Sequence, residues 1–171
     1  MKISHNWLTH FIELPETPET ISEILTQTGL EVESVSKIEK IKGGLKGLII
    51  GEVMSCIPHP NADKLKLTQV DVGSDDLISI VCGAANISAG QKVAVAPVNC
   101  LIYPIKGEPF QIKKAKIRGE ISQGMICAED EIGLGSSHEG IMVLTTDYAN
   151  GTPLNKIYES EEDIVYEIGL T

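Results

Sequence analysis

The chain has 171 residues, 42% hydrophobic and 22% charged, and a formal net charge of −10 from 14 Lys and Arg against 24 Asp and Glu. This is globular composition, which excludes a disordered polyanion, and no apolar run approaches the roughly 20 residues that span a bilayer. As a total, the acidity also speaks against a nucleic-acid partner. Its distribution does not. Residues 1–39 carry −5, residues 40–150 only −1, and residues 151–171 −4.

The opening Met1-Lys2-Ile3-Ser4-His5-Asn6-Trp7 is interrupted by polar residues and contains no secretory h-region. Met1–Ile3 reads as a short strand, and Ser4 as the cap of a helical turn carrying Trp7, Leu8 and Phe11. Thr17-Pro18 is an N-cap and first-turn pair, with Glu16 and Glu19 near the positive end of the helix dipole. Ile21, Ile24, Leu25 and Thr28 follow at helical spacing to Gly29, the expected C-terminal glycine. Leu30–Ile38 reads as a strand. Lys40-Ile41-Lys42-Gly43-Gly44 breaks both periodicities and is the expected linker.

From Gly47 the pattern becomes β. Leu48–Ile57, the alternating Leu65–Val72, Leu77–Cys82, Lys92–Val98 and Phe110–Ile117 give about five strands separated by glycine and proline turns. No crossover helix separates them, so a small closed antiparallel barrel fits better than a βαβ sheet. A short irregular helical segment is expected around Ser122–Glu131. The tail holds an acidic run, Glu159 to Asp163, then Ile164, Val165, Tyr166, Ile168 and Leu170 in strand-like order. That strand needs a partner, and the N-terminal piece supplies one. The expected fold is therefore mainly β with an α/β flank: a five-stranded oligonucleotide/oligosaccharide-binding barrel at 40–150, inserted in a small split α+β domain made of 1–39 and a truncated returning arm, 151–171.

Cys56, Cys82, Cys100 and Cys127 lie far apart without a C-x-x-C pair and read as reduced, mostly buried thiols of a cytoplasmic protein. His5, His10, His59 and His138 do not supply the clustered ligands of a zinc site. In Pro58-His59-Pro60-Asn61-Ala62-Asp63-Lys64-Leu65, a His59–Asp63 acid–base pair competes with a rigid inter-strand connector. The connector is preferred, because no nucleophile or oxyanion donor accompanies the pair. In Lys113-Lys114-Ala115-Lys116-Ile117-Arg118-Gly119, a continuous strand would put Lys114, Lys116 and Arg118 on one face and Ala115 and Ile117 toward the core. Three such cations suit either a phosphate track or a solvated edge that resists aggregation. In Ile121-Ser122-Gln123-Gly124-Met125-Ile126-Cys127-Ala128, the glycine allows a sharp turn that Ser122 caps, and Met125, Ile126 and Cys127 plug one end of the barrel.

Taken in order, His59–Leu65, Val81-Cys82-Gly83-Ala84, Lys113–Gly119 and Ser122–Ala128 resemble the EMAP-II-like tRNA-binding domain. With Met1–Ser4, Trp7-Leu8, Thr28-Gly29-Leu30-Glu31-Val32-Glu33 and His138-Glu139-Gly140-Ile141, the whole chain resembles the N-terminal region of bacterial phenylalanyl-tRNA synthetase β subunits. The resemblance implies a piece of a longer β subunit that pairs with an α subunit in a heterotetrameric synthetase. Aminoacylation and editing would lie outside this piece. No catalytic residue, metal or cofactor is expected within it, ATP and magnesium being bound elsewhere in the ligase. Lys64, Lys66, Lys113, Lys114, Lys116, Arg118, Ser122 and Gln123 are the residues expected against tRNA. Arg118 is the sole Arg beside thirteen Lys, and residues 40–150 hold only Tyr103, Phe110 and Tyr148 as aromatics. Weak contact with backbone and shape is therefore expected, not stacking readout. The alternatives are a purely structural assembly module of the synthetase and a free-standing tRNA-binding protein.

Overall fold

A computed structural model describes residues 1–158 and 161–169, so Glu159 and Ser160 of the acidic run, Leu170 of the expected strand, and Thr171 lie outside it. The chain divides into two units, Met1–Lys40 with Ser160–Thr171, and Ile41–Glu159.

Strand β1 (Lys2–Ser4) runs directly into helix α1 (His5–Thr9), where the Ser4 hydroxyl accepts the Trp7 amide at 2.9 Å. Helix α2 (Pro18–Gln27) begins on Thr17, whose hydroxyl accepts the Thr20 amide at 3.3 Å, with Pro18 where no amide proton is needed. It ends at Gly29, with φ +97°, and the Leu30 amide reaches back to the Leu25 carbonyl at 2.9 Å. Strand β2 (Val32–Glu39) closes this first stretch.

The second unit opens with a 3-10 turn, Lys42–Leu45. Its strands are β3 (Ile49–His59), β4 (Ala62–Asp71), β5 (Ile78–Cys82), β6 (Lys92–Pro97), β7 (Leu101–Ile102), β8 (Phe110–Gln111), β9 (Ala115–Ile117), β10 (Glu120–Ser122), β11 (Gly124–Ile126) and β12 (Val143–Leu144). Antiparallel pairing runs β11-β6-β3-β4-β5, with β12 also on β6. The remaining seam is bridged where the Gln123 amide donates to the Ser79 carbonyl at 2.8 Å and the Val81 amide to the Ser122 hydroxyl at 3.2 Å. The result is a nearly closed five-stranded barrel with the circular order of the oligonucleotide-binding fold. Val53, Val70, Ile80, Val93 and Val95 fill it at 0–1% exposure. At Gly51 a β-carbon would stand 2.7 Å from Val95 Cγ2 and 2.8 Å from Val70 Cγ1, so the interior admits no side chain there.

Strand β13 (Glu162–Ile168) returns to the first unit and lies between β1 and β2, pairing Ile3 with Tyr166 and Val35 with Tyr166 on its two sides. Ile21, Tyr166 and Ile168 form the core of that sheet. The Tyr166 hydroxyl lies 2.8 Å from His5 Nδ1.

Three expectations are corrected. Phe110–Ile117 is not one strand: Phe110–Gln111 pairs with Leu101–Ile102, Ile112 still bonds Cys100 and Asn99, Lys113-Lys114 leaves the ladder, and Ala115–Ile117 pairs with Glu120–Ser122. The fifth barrel strand is Gly124–Ile126, inside the segment expected to be helical. A glycine suits this strand, because a β-carbon at position 124 would meet the Ala96 carbonyl oxygen at 2.9 Å. The chain also leaves the barrel later than residue 151. Leu154 is fully buried in a second core, with Leu48, Ile50 and Ala94 on the other face of β3 and β6; its amide donates to the Leu48 carbonyl at 2.9 Å, and the Ile50 amide donates to the Thr152 carbonyl at 2.9 Å.

Candidate nucleic-acid interface

In a barrel of this type, ligands meet the face of the second and third strands together with the loops joining strands one to two and four to five. Here those are β4 and β5, the Pro58–Ala62 turn, and the long Val98–Gln123 connection.

The turn is built by Pro60 and Asn61, with His59 opposite Ala62 after a register shift in β3. His59 is 5% exposed. Its Nδ1 accepts the Asn61 amide at 3.0 Å, which leaves the proton on Nε2, and Nε2 donates to the Ile117 carbonyl at 3.2 Å. Both ring nitrogens are thus occupied by backbone groups, and the His59–Asp63 acid–base reading has no geometry to support it. Asn61 Nδ2 reaches the Arg118 carbonyl at 3.4 Å.

Within the long connection, β9 and β10 form a two-stranded hairpin outside the barrel ladder. Its turn residues, Arg118 (φ +51°) and Gly119 (φ +104°), are both left-handed, as a two-residue type I′ turn requires. Lys113, Lys114, Lys116 and Arg118 are all exposed. The expected inward face is corrected: Ala115 is exposed and Ile117 half-buried, because the hairpin has no barrel interior beneath it. Lys114 precedes the strand and Arg118 follows it, so the strand's alternation does not order the three cations.

Of the other expected site residues, Lys64 is exposed beside the Pro60-Asn61 turn. Lys66 is half-buried, and its Nζ donates to the carbonyls of Ile87 at 2.9 Å and Ala85 at 3.3 Å. Ser122 is 3% exposed, accepting the Val81 amide and donating to the Gly124 carbonyl at 3.0 Å. Gln123 faces β5, its Oε1 accepting the Ser79 amide at 3.4 Å. These three hold the barrel together, while the exposed cations stand on the hairpin and its neighbouring turn.

Beside the hairpin lies a groove of about 240 Å³ lined by Leu67, Gln69, Ser79, Glu120 and Ile121, where Gln69 Nε2 donates to Ser79 Oγ at 2.7 Å. A larger hollow of about 430 Å³ borders Gly83, Met125, Glu131, His138 and Glu139. Its carboxylates disfavour a polyanion. The hydrogen bond that His138 Nδ1 donates to Asp130 Oδ1 at 3.0 Å, followed by the carboxylate's charge, raises the His138 pKa. Burial pushes the thiols of Cys82, Cys100 and Cys127 up, which makes them poor nucleophiles. Among the described residues no group of His, Cys, Asp or Glu is placed to hold a metal ion, and no helix is long and apolar enough to cross a membrane.

Residues 48–153 match a protein family described as "Putative tRNA binding domain". Over all 171 residues the chain is 48% identical to a phenylalanine–tRNA ligase β subunit of Bacteroides fragilis, covering 21% of that protein, and 43% identical to one of Photorhabdus laumondii, covering 20%. The chain thus spans about a fifth of the length of the curated relatives it matches. Among solved structures, a MetRS-related protein from Pyrococcus horikoshii is 22% identical, with a TM-score of 0.46 over 63% of this chain and 87% of that one.

Proposed function

Since the chain belongs to this family of tRNA-binding domains, we propose that its barrel holds tRNA by the phosphate backbone, as an accessory region of a phenylalanine–tRNA ligase β subunit. The observation that carries the reading is the placement of exposed cations. Lys64 beside the first turn and Lys113, Lys114, Lys116 and Arg118 around the hairpin stand at the loops through which such barrels meet nucleic acid. Few aromatic rings are available, so the contact is electrostatic and largely indifferent to sequence. Catalysis, with its ATP and magnesium, belongs to other parts of the ligase. Its α subunit and the rest of β are the protein partners, and the cytoplasm is the compartment.

The test is titration of labelled tRNA with the chain over a range of salt. Neutralising about three to five phosphates gives a log Kd–log salt slope of magnitude about 2–4, and K116A/R118A lowers that magnitude by about 1.5–2. A slope near zero, or one that the double variant leaves unchanged, refutes the proposal.

A second reading, an assembly scaffold, is favoured by the flanking unit, where Trp7 and Phe11 pack edge to face at 4.8 Å yet stay 57% and 67% exposed. It predicts that a β subunit lacking the barrel fails to assemble with α. Normal assembly accompanied by lost tRNA affinity counts against it.

A further inference from the structure

We infer that His59 and Asn61 are positioning residues for RNA contact: they clasp the tip of the Ala115–Ser122 hairpin to the Pro60-Asn61 turn, so that Lys116 and Arg118 are held in place before tRNA arrives. The inference rests on the tRNA-binding reading above.

The hairpin is held at its base by the Ser122 and Gln123 bonds to β5. Its strands are three residues each and pair only with one another, an arrangement that is marginally stable unaided. The tip therefore needs a second anchor. His59 and Asn61 supply it by engaging two successive carbonyls, Ile117 and Arg118, on either side of Arg118, the first residue of the left-handed turn. The two contacts are chemically linked. The Asn61 amide occupies His59 Nδ1, which fixes the Nε2–H tautomer that donates to Ile117. The same turn that fixes the imidazole also supplies the second clasping side chain. A tethered tip presents its cations without first losing conformational freedom, and the clasp contributes to affinity in that way without touching RNA.

Two substitutions separate the roles of the ring. His59→Asn keeps an acceptor near the Nδ1 position but cannot reach Ile117. His59→Gln extends a donor to the distance of Nε2. Labelled unfractionated tRNA is titrated with the native 171-residue chain and both variants, and amide hydrogen exchange is followed at Lys116, Arg118, Gly119 and Glu120. H59N is expected to bind about three- to tenfold more weakly, with a shallower salt slope and faster exchange at the hairpin. H59Q is expected within about twofold of the native chain, and thermal midpoints identify any variant that is simply less stable. Native binding that H59N leaves unchanged overturns the clasp, as does an equal loss in H59N and H59Q that follows lost stability. Absence of tRNA binding by the native chain overturns the RNA reading instead. In that case unchanged hairpin exchange in H59N overturns the clasp on its own.

Discussion

Replacing Leu154 by alanine tests whether residues beyond 150 belong to the barrel. Leu154 is fully buried with Leu48, Ile50 and Ala94. The substitution removes three carbon groups from that core, about 2.4 kcal/mol of transfer free energy at about 0.8 kcal/mol each. The unfilled space raises the cost to about 3–5 kcal/mol, since the neighbouring strands are fixed by their ladders and close in only partly. With a urea slope of about 2 kcal/mol/M, the midpoint of the barrel transition followed by circular dichroism should fall by about 1.5–2.5 M. Thr152→Ala, by contrast, keeps the carbonyl that accepts the Ile50 amide and should move the midpoint little. A Leu154→Ala chain within about 0.3 M of the native midpoint would show that the 151–158 segment is an appendage, and the reasoning from burial would be wrong.

Gly73→Ala should cost at least about 2 kcal/mol by the same assay, because φ is +76° and a β-carbon would run into the Asn150 carbonyl. Tyr166→Phe deletes a fully buried hydroxyl facing His5 Nδ1, and should destabilise the first unit by about 0.5–1.5 kcal/mol; hydrogen exchange of the β13 amides should rise. For His138 the raised pKa means that the Asp130 pair contributes its stability fully below the unfolded histidine value of 6.5, and that this contribution fades as pH rises through the higher folded value. An imidazole NMR titration should give a midpoint above 6.5 that Asp130→Asn returns toward the ordinary value; equal midpoints in both chains refute the pair.

Elements set by neighbouring residues were legible in the sequence. Ser4, Thr17-Pro18 and Gly29 announce their caps through bonds within a turn or two of chain, and the alternating runs of β3 to β6 carry a period long enough to read. Between residues 98 and 131 that signal fails, because β7 to β11 are two or three residues each and a period of two needs more chain to show itself. The facing of Lys114, Lys116 and Arg118 escapes the sequence for the same reason. The hairpin turn was hidden as well: Arg118 is not a residue usually found at positive φ, so Ile-Arg-Gly-Glu lacks the Asn-Gly signature. At the candidate site, the cations were visible by composition, whereas the clasp joins His59 to a carbonyl 58 residues away and involves no charge. Lys66, Ser122 and Gln123 are polar residues of the kind that bind RNA, and only their three-dimensional partners reveal that the barrel itself uses them.

Strand β13, placed between β1 and β2, imposes an order of events on a ribosome. The central strand of the flanking sheet is made last, after roughly 120 residues have followed β2, or about 6–24 s of synthesis. Throughout that interval β1 and β2 have no ladder to join, and Ile21 lacks the Tyr166 and Ile168 surface that buries it. The barrel, by contrast, has all of its strands once Leu144 has emerged, and the core packed on its outer face is complete with Leu154. Its closure draws residues 41 and 158 into one folded body and shortens the loop that the late strand must close. Vectorial folding therefore proceeds from the inside outward, and defects in the barrel should surface as misassembly of a sheet to which it contributes no strand.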